Sequence, residues 1–509
     1  MTSASSPASR GYIAALVAAF LGWLFDGFEM GLFPLIGKPA LIDLLPGESV
    51  LVQGQWFTVI IAVFLVGAAT GGVLFGWLGD KLGRVKAMAL AIFTFAIFTG
   101  LCAFVHEAWQ FAGLRFLASL GMGGEWSLGV ALVNELWAGR NRAWIAGMIG
   151  AASNVGFLLT GLLSLWLNSH MVDVAHMLTS MGISETFSGS RAWRILAISG
   201  ALPALINFFI LIAVPESHKW EEEKASGKTS HWATWDLLGV LLAGVAALFI
   251  IWAWSPVWKF GDVIAVAVTV VGLAIAMWGY LHPVRKYMGR FAAAETGGGG
   301  EHRYVMRNLL IGAGLAAVAL LGTWGSAQQA AKWASGLLPK GSTVPLIEYT
   351  VIATAIGAIL ISLVTPLVAD KLGRRFTYTL LCILSLGGAY AFFKTNTPFV
   401  DGHVTTWFFI SAFLLGGLTA SFYGFFPLYF PELFPTSVRA TGQGFCFNFG
   451  RLIAAIGSLQ LANLVIFFGS KDATTSSNEA QAYMALSCVY LIGMVLVWFA
   501  PETKGHQLK

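Results

Sequence analysis

The segment GWLGDKLGR at residues 76–84 recurs in altered form as PLVADKLGR at residues 366–374, 290 residues further along the chain. Each copy ends a long apolar stretch and carries an aspartate, a glycine and an arginine at the same spacing. A motif that returns at a fixed offset is typical of internal duplication. The two loops therefore predict that the chain contains two halves of one architecture.

Two more matches lie at nearly the same offset. The segment ELWAGRNRA at 135–143 matches ELFPTSVRA at 432–440, and PES at 215–217 matches PET at 501–503. Each match alone is weak, but three matches in one order at nearly one offset are hard to obtain by chance. The duplication therefore extends over most of the chain.

The composition is that of a membrane protein. Only 11% of the 509 residues are charged, and about two thirds are apolar when glycine is included and tyrosine is left out. A soluble domain has about 25% charged residues. The apolar residues form long blocks, which excludes soluble domains and favours many spanning helices. The basic residues lie between these blocks, so the net charge of +5 does not indicate nucleic-acid binding.

Fourteen stretches are close to or above the length that crosses a bilayer as a helix. Strands of a β-barrel would be shorter and would alternate in polarity, so helices are preferred. The stretches are 11–33, 55–79, 86–105, 109–137, 143–168, 192–214, 237–255, 262–281, 306–328, 346–369, 376–393, 405–430, 440–468 and 480–500.

The repeat offset is larger than the roughly 200 residues that six spanning helices need. The surplus matches the pair 237–255 and 262–281. We therefore predict an all-α membrane protein with a six-helix bundle at 11–214, a cytoplasmic linker with this inserted helix pair at 215–305, and a second six-helix bundle at 306–500.

The distribution of positive charge predicts the orientation. With the N-terminus in the cytoplasm, 20 of the 30 lysines and arginines lie on the cytoplasmic side, eight lie on the other side, and Arg115 and Arg451 lie within spans. By the positive-inside rule, both termini are expected in the cytoplasm. The N-terminal sequence does not have the pattern of a cleavable signal peptide. The four cysteines lie in apolar blocks and are expected to be core residues.

The motifs resemble those of the major facilitator superfamily, whose signature loop is G-x3-D-x2-G-R after the second span. PESHKW at 215–220, PELFPTSVRATGQG at 431–444 and PETKG at 501–505 are similar to its sugar-porter and organic-acid-porter branches. LGWLFDGFEMGLF at 21–33, RFLASLGMGGEW at 115–126 and the fourteen-span layout are most similar to the sialate:proton symporters and their monocarboxylate relatives. The resemblance implies two helical bundles that rock around a central substrate site.

Polar residues inside the first span are candidates for proton coupling. Asp26 and Glu29 are three residues apart and project to one side of a helix. Burial and a second nearby carboxylate both favour the protonated form, which suits a proton carrier. A carboxylate that only makes structural hydrogen bonds is the alternative, and Glu29 lies close enough to the mouth of the span to be hydrated instead.

Arg115 and Glu125 share the fourth span but are about 15 Å apart along it, so each needs a partner from another helix. The resemblance to sugar porters implies that Asp26 and Arg115 form the proton-sensitive pair. Two alternatives stay open. Arg115 could extend to the membrane edge, and Glu125 could be a structural hydrogen-bonding site among small residues.

The second half supplies the candidate substrate ligands. Arg451 is its one cation within a span, and it could hold a carboxylate or pair at the cytoplasmic end. Because Gln328 and Gln329 are adjacent, only one of them is expected to face the cavity. Most of the 20 tryptophans suit a membrane-interface belt. The other candidates are Asn448, Tyr423, Trp324 and Trp126.

Charged residues of the loops are predicted to form a gate and not to bind substrate. Short charged loops pin helix ends through ion pairs, and the resemblance implies that this contact latches the outward-open state. The predicted gating residues are Gly76, Asp80, Gly83, Arg84, Arg142, Asp370, Arg374, Glu432 and Arg439.

We therefore predict a monomeric, proton-coupled symporter of a small organic anion such as a monocarboxylate or an acidic sugar. The second span, VFLVGAATGGVLFG, lacks the basic residue of sialate carriers, which leaves monocarboxylates, aromatic acids and neutral sugars open. A transport-derived membrane sensor is the alternative from another class. The sequence has no GxxxxGK[ST] motif and no pattern typical of a metal, cofactor or catalytic site, so an enzyme is disfavoured.

Overall fold

The computed structural model describes residues 7–136, 141–180, 193–201, 210, 213–258, 260–294, 298–339, 342, 344–396, 399–400, 403–469 and 475–505. In the first half its helices are α1 (Pro7–Leu44), α2 (Val50–Leu82), α3 (Arg84–Leu101), α4 (Ala108–Leu136), α5 (Arg142–Ser180) and α6 (Trp193–Ser199). The middle of the chain contains α7 (His218–Ala225), α8 (Leu237–Ala253) and α9 (Asp262–Ala294).

The second half begins with α10 (Gly298–Gly325), α11 (Ala330–Ser335), α12 (Leu346–Leu372) and α13 (Arg374–Thr395). It continues with α14 (Thr406–Ala420), α15 (Phe422–Tyr429), α16 (Arg439–Leu459), α17 (Leu461–Phe467), α18 (Thr475–Ser487) and α19 (Val489–Leu496). Between α13 and α14, strand β1 (Phe399–Val400) pairs antiparallel with β2 (His403–Val404), with Phe399 opposite Val404.

Twelve helical segments of the described chain are long and apolar enough to cross a membrane, which confirms the all-α, multi-spanning fold class. The predicted stretch 440–468 forms α16 and α17, but α16 is not among the twelve because its polar residues lower its hydropathy. About half of the stretch 192–214, including 202–209, lies outside the described residues. The count of fourteen spans therefore stays a prediction.

The two sequence halves meet along two helix pairs, α2 with α16 and α5 with α12. Small residues allow these helices to approach closely. A Cβ atom on Gly444 would lie 2.5 Å from the carbonyl oxygen of Gly72, and one on Gly150 would lie 2.5 Å from the Cα of Gly424. The candidate site lies between these two seams.

The predicted inserted pair corresponds to α8 and α9, which pack against each other and against α2. The hydroxyl groups of Thr70 on α2 and Tyr280 on α9 are 2.8 Å apart, and both residues are buried. Lys81 Nζ donates to Thr234 Oγ1 at 3.0 Å, just before α8 begins. Smaller contacts reach α10 and α16. The pair thus packs against helices of both halves, beside the α2–α16 seam.

Tyr280→Phe tests this attachment because it removes the hydroxyl that contacts Thr70. Interhelical hydrogen bonds in membrane proteins contribute about 0.6–1.7 kcal/mol, so we expect the free energy of unfolding in mixed micelles to fall by about 1 kcal/mol. Thr70 keeps its bond to the Val66 carbonyl at 2.9 Å. Tyr349→Phe, in which the lost hydroxyl has no hydrogen bond within the described chain, is the control. Equal losses in the two variants would contradict the attachment.

Candidate functional site

The carboxyl groups of Asp26 on α1 and Glu125 on α4 face each other in the interior of the first half. Asp26 is 4% exposed and Glu125 is 1% exposed. Gly22, one turn before Asp26, provides the space, because a Cβ there would collide with Glu125 Oε1. Asp26 Oδ1 and both Glu125 oxygens receive no hydrogen bond from the described residues. Two buried carboxyl groups in this arrangement repel each other when both are ionised.

Arg451 on α16 is the cation of the second half whose charge acts on Asp26. Its Nη1 donates to Asn448 Oδ1 at 2.9 Å, and its guanidinium lies over the Phe447 ring at 5.1 Å. Of the carboxylates that the structure describes, none lies within ion-pair distance of Arg451. The alternative that Arg451 pairs with a carboxylate at the loop-bearing end is therefore not observed.

The structure corrects one predicted substrate ligand, Asn448, because its side chain is engaged within the protein. Its Nδ2 donates to the carbonyl oxygens of Gly123 and Gly444, both at 3.0 Å, and its Oδ1 accepts the bond from Arg451. Both amide hydrogens are used, and the residue is completely buried. Asn448 is therefore not placed to bind substrate directly.

Aromatic rings from both halves surround Arg451. Trp126 on α4 stacks on Phe447 with ring centroids 4.1 Å apart and planes 17° apart. Tyr423 meets the same ring edge-on at 6.1 Å and lies beside Trp324. The structure thus brings together four of the candidate residues, Trp126, Tyr423, Trp324 and Arg451. Phe447 was missed because a phenylalanine in a predicted membrane span gives no distinctive sequence signal.

A partly open cavity of about 50 Å³ lies next to this cluster and is lined by both halves. Its lining includes Gly27, the neighbour of Asp26, and Tyr423. Gln328 lines the cavity, whereas Gln329 Nε2 donates to the Trp324 carbonyl at 3.1 Å. Of the two glutamines, only Gln328 is therefore among the described residues that line the cavity.

Several cavity residues were missed by the sequence analysis. They share small hydroxyl or amide groups that commonly bond to their own helix in a span, and Thr350 Oγ1 does so with Leu346 at 2.6 Å. Such residues are therefore not distinctive in the sequence. Glu348, buried at the start of α12 and 3.4 Å from Ser164 Oγ, was missed because it lies at a span end. The missed polar lining residues are Ser153, Asn154, Thr323, Thr350, Thr354 and Thr419.

Arg115 forms an ion pair with Glu29 and not with Asp26, so the predicted Asp26–Arg115 pair is wrong. The reason is helix geometry. Because α1 and α4 run in opposite directions, Glu29 lies closer to the start of α4, and Asp26 lies closer to Glu125. The guanidinium of Arg115 also lies 4.5 Å from the centre of the Phe64 ring. Arg115 is 2% exposed, so its guanidinium lies inside the protein.

The repeated loop after α2 contacts the second half through Asp80. Asp80 Oδ1 pairs with Arg84 Nη1 at 2.5 Å, and Oδ2 accepts hydrogen bonds from the backbone N–H and the hydroxyl of Thr441 at 2.9 and 2.5 Å. Gly83 turns the chain between the two charges with a φ of 117°, a conformation that favours glycine. Asp80 thus links α2 to α16.

Glu135 is the second carboxylate of this cluster. Its Oε1 accepts from Arg84 at 3.2 Å and from Arg439 of the second half at 3.3 Å. In the second half, Arg374 makes a two-pronged contact with Glu432 at 2.7 and 3.1 Å. Arg142 of the first half lies 3.5 Å from the same carboxylate. Arg142 and Arg439, which are equivalent in the repeat, therefore each pair with the glutamate of the other half.

The third repeated motif completes both clusters. Glu216 accepts from the backbone N–H of Arg84 at 2.8 Å, and Glu502 accepts from that of Arg374 at 3.0 Å. Burial raises the pKa of Glu216 although nearby N–H groups act to lower it. Burial also acts to raise the pKa of Glu502, but the N–H groups of Arg374 and its neighbours lower it overall. As the pH falls, Glu216 therefore takes up a proton before Glu502.

The family model for sugar (and other) transporters matches residues 14–233 and 338–509 of this chain. The unmatched segment between them contains α8 and α9. The chain is 26% identical to a putative metabolite transport protein of Haemophilus influenzae, over 97% of both chains. It is 24% identical to a putative niacin/nicotinamide transporter of Bacillus subtilis, over 97% of both chains.

The chain is also 25% identical to the cis,cis-muconate transport protein of Acinetobacter baylyi, over 87% of this chain and 85% of that protein. Among solved structures, it is similar to the proton:xylose symporter XylE of the major facilitator superfamily. The TM-score is 0.66 at 18% identity, and 98% of both chains is covered. This likeness confirms the predicted major facilitator fold.

Asp80→Asn and Asp370→Asn form a matched pair, because the two aspartates are equivalent in the repeat. Asp80 is 2% exposed, whereas the Asp370 side chain is 59% exposed and lies 3.5 Å from Arg374. Breaking a buried ion pair costs about 3 kcal/mol or more, and an exposed pair contributes about 0.5 kcal/mol. We expect a much larger loss of unfolding free energy, measured by thermal or denaturant unfolding in detergent, for Asp80→Asn. Similar losses would show that the Thr441 contact adds little.

Proposed function

This chain belongs to the sugar (and other) transporter family, whose members are membrane transporters and not enzymes, and we propose that it is a proton-coupled symporter of a small organic anion. One observation carries the proposal. The charge of Arg451 acts on the buried carboxyl group of Asp26, which faces Glu125, but Arg451 forms no ion pair with a described carboxylate. A guanidinium in this situation can be shared between a protein carboxylate and a substrate carboxylate.

In the proposed cycle, a proton is first held between Asp26 and Glu125. While it is bound there, the charge of Arg451 stays available to the substrate. Loss of that proton produces a carboxylate that competes with the substrate for Arg451. The substrate and the proton are thereby released together. Alternating access requires the halves to rock around this site. The positive-inside bias supports a cytoplasmic position for the loop clusters of Asp80 and Asp370. The described contacts then close the cytoplasmic side.

The cavity supports a compact substrate with one or two carboxylates. Its lining combines uncharged polar groups, such as those of Asn154 and Gln328, with Met30 and Phe157. This combination suits a short chain or a ring attached to a carboxylate. The relatives named for niacin and for muconate support the same class, and an acidic sugar such as sialate belongs to it as well.

Uptake of a neutral sugar or another neutral metabolite is the second candidate. The described residues that line the cavity include no charged side chain. The similar solved structure named as a proton:xylose symporter also favours this candidate. Unlike the organic-anion candidate, the neutral-substrate candidate predicts no role for Arg451 in substrate binding.

Uptake by proteoliposomes distinguishes the two candidates. Nicotinate and nicotinamide differ in one carboxylate, so they form a matched pair of substrates, and cis,cis-muconate, sialate and xylose extend the panel. We expect counterflow of a carboxylate, with a loss of about tenfold or more in Arg451→Gln, because hydrogen bonds to charged groups contribute about 1.5–3 kcal/mol. Faster transport of nicotinamide or xylose, with no effect of Arg451→Gln, would favour the neutral candidate.

Asp26→Asn and Glu125→Gln test the coupling. Each removes a titrating carboxylate, so we expect accumulation driven by a pH gradient to be lost while counterflow persists. Asp262→Asn, at an exposed carboxylate that begins α9, is the control. Glu29→Gln is the comparison that separates the two buried clusters. Coupling that survives in Asp26→Asn and Glu125→Gln but is lost in Glu29→Gln would move the proton site to the Glu29–Arg115 pair.

A further inference from the structure

Asn448 has an unusual set of partners for a residue at the centre of a transporter. Its side chain bonds to Arg451 on one side and to the Gly123 carbonyl of the other half on the opposite side. Gly123 lies two residues before Glu125 on α4. One amide group therefore connects the candidate substrate cation to the helix that carries a candidate proton carrier.

We propose that Asn448 is a positioning residue that holds Arg451 near the carboxyl group of Asp26 but out of ion-pair contact with it. This inference rests on the proposed function, because it explains how Arg451 stays available to a substrate. In an interior of low dielectric, opposite charges attract strongly. Without a competing acceptor, the guanidinium would move onto the ionised carboxylate. A substrate carboxylate would then have to displace it.

Gly72 leaves the space that the side chain of Asn448 occupies, and Gly444 allows α2 and α16 to approach closely. A Cβ atom on Gly72 of α2 would overlap with Asn448 Nδ2. The same glycine has its carbonyl oxygen 2.5 Å from the Cβ position of Gly444, whose own carbonyl accepts the second bond of the amide. The α2–α16 seam is thus shaped to accept this one polar side chain.

The contact of Asn448 with Gly123 also depends on the conformational state. It crosses from α16 to α4, so it breaks when the halves separate on the side of the Asp80 cluster. Loss of that bond frees Asn448 and allows Arg451 to move. The charged and titratable groups that act on Arg451 are Asp26 from α1 and Tyr423 from α15, and Glu125 from α4 faces Asp26. Release of Arg451 toward Asp26 would then favour discharge of the proton and the substrate on one side.

Gln443 supplies a matched control on the same helix. Its Nε2 donates to the carbonyl of Ser127 on α4 at 2.5 Å, so this bond crosses from α16 to α4 as that of Asn448 does. Gln443 has no described contact with Arg451. A purely structural seam contact predicts similar effects for Asn448→Ala and Gln443→Ala. A positioning role for Asn448 predicts that the two substitutions have different effects.

The first measurement is uptake of nicotinate, or of cis,cis-muconate if nicotinate is not transported, in proteoliposomes. We expect Asn448→Ala to raise KM for the carboxylate by about tenfold or more with a change in kcat of less than about threefold. Gln443→Ala should lower kcat and leave KM unchanged. Gly72→Ala, which displaces the amide without removing it, should resemble Asn448→Ala. Equal KM values for Asn448→Ala and the wild-type protein would overturn the proposal.

A second measurement needs no substrate and therefore separates this proposal from the proposed function. The melting temperature of the detergent-solubilised protein is followed between about pH 5 and pH 9. A guanidinium in contact with a carboxylate favours the ionised form of that carboxylate. In Asn448→Ala, where Arg451 can reach the carboxylate, the pH at which the melting temperature changes should therefore fall by about one unit. It should not move in Gln443→Ala. Identical profiles in the two variants would overturn the positioning role even if transport of a carboxylate is established.

Discussion

Charges inside a helical membrane protein are stable only when another charge, a proton or an ordered set of hydrogen bonds compensates them. The described structure meets this requirement in three layers. Glu29 and Arg115 compensate each other directly. The clusters around Glu135 and Glu432 join carboxylates and arginines from both halves. Only the layer between them, with Asp26, Glu125 and Arg451, lacks direct ion pairs between the described residues, and it is the layer next to the cavity.

The layers differ in what a change of state costs. Separation of the halves at the loop clusters must expose several buried ion pairs to water, which then hydrates the charges. The central layer contains a single cation and two carboxyl groups, so one proton or one anionic substrate changes its balance. Small ligands can therefore bias the equilibrium between two arrangements of the halves. The same physical requirement provides both the stability of the closed side and the sensitivity of the centre.

The sequence predicted the fold class because hydropathy and repeat spacing report directly on spanning helices. It also predicted which residues are buried and charged, since a span rarely contains them without a function. It did not predict the pairing. Asp26 and Glu29 differ by only about 60° around α1, and their partners depend on the rotation and depth of α4. Phe447 and the threonines of the cavity have no distinctive chemistry outside the three-dimensional arrangement.

The exchanged pairs Arg142–Glu432 and Glu135–Arg439 have the form of a contact between identical subunits. In a symmetric dimer, residue i of one copy meets residue j of the other, and the reverse contact follows from the twofold axis. The two halves of this chain reproduce that rule with equivalent residues. This arrangement is what an ancestral dimer of half-length chains would leave after its genes fused. The asymmetric contact of Asp80 with Thr441, and the exposure of Asp370, would then mark where the fused copies have since diverged.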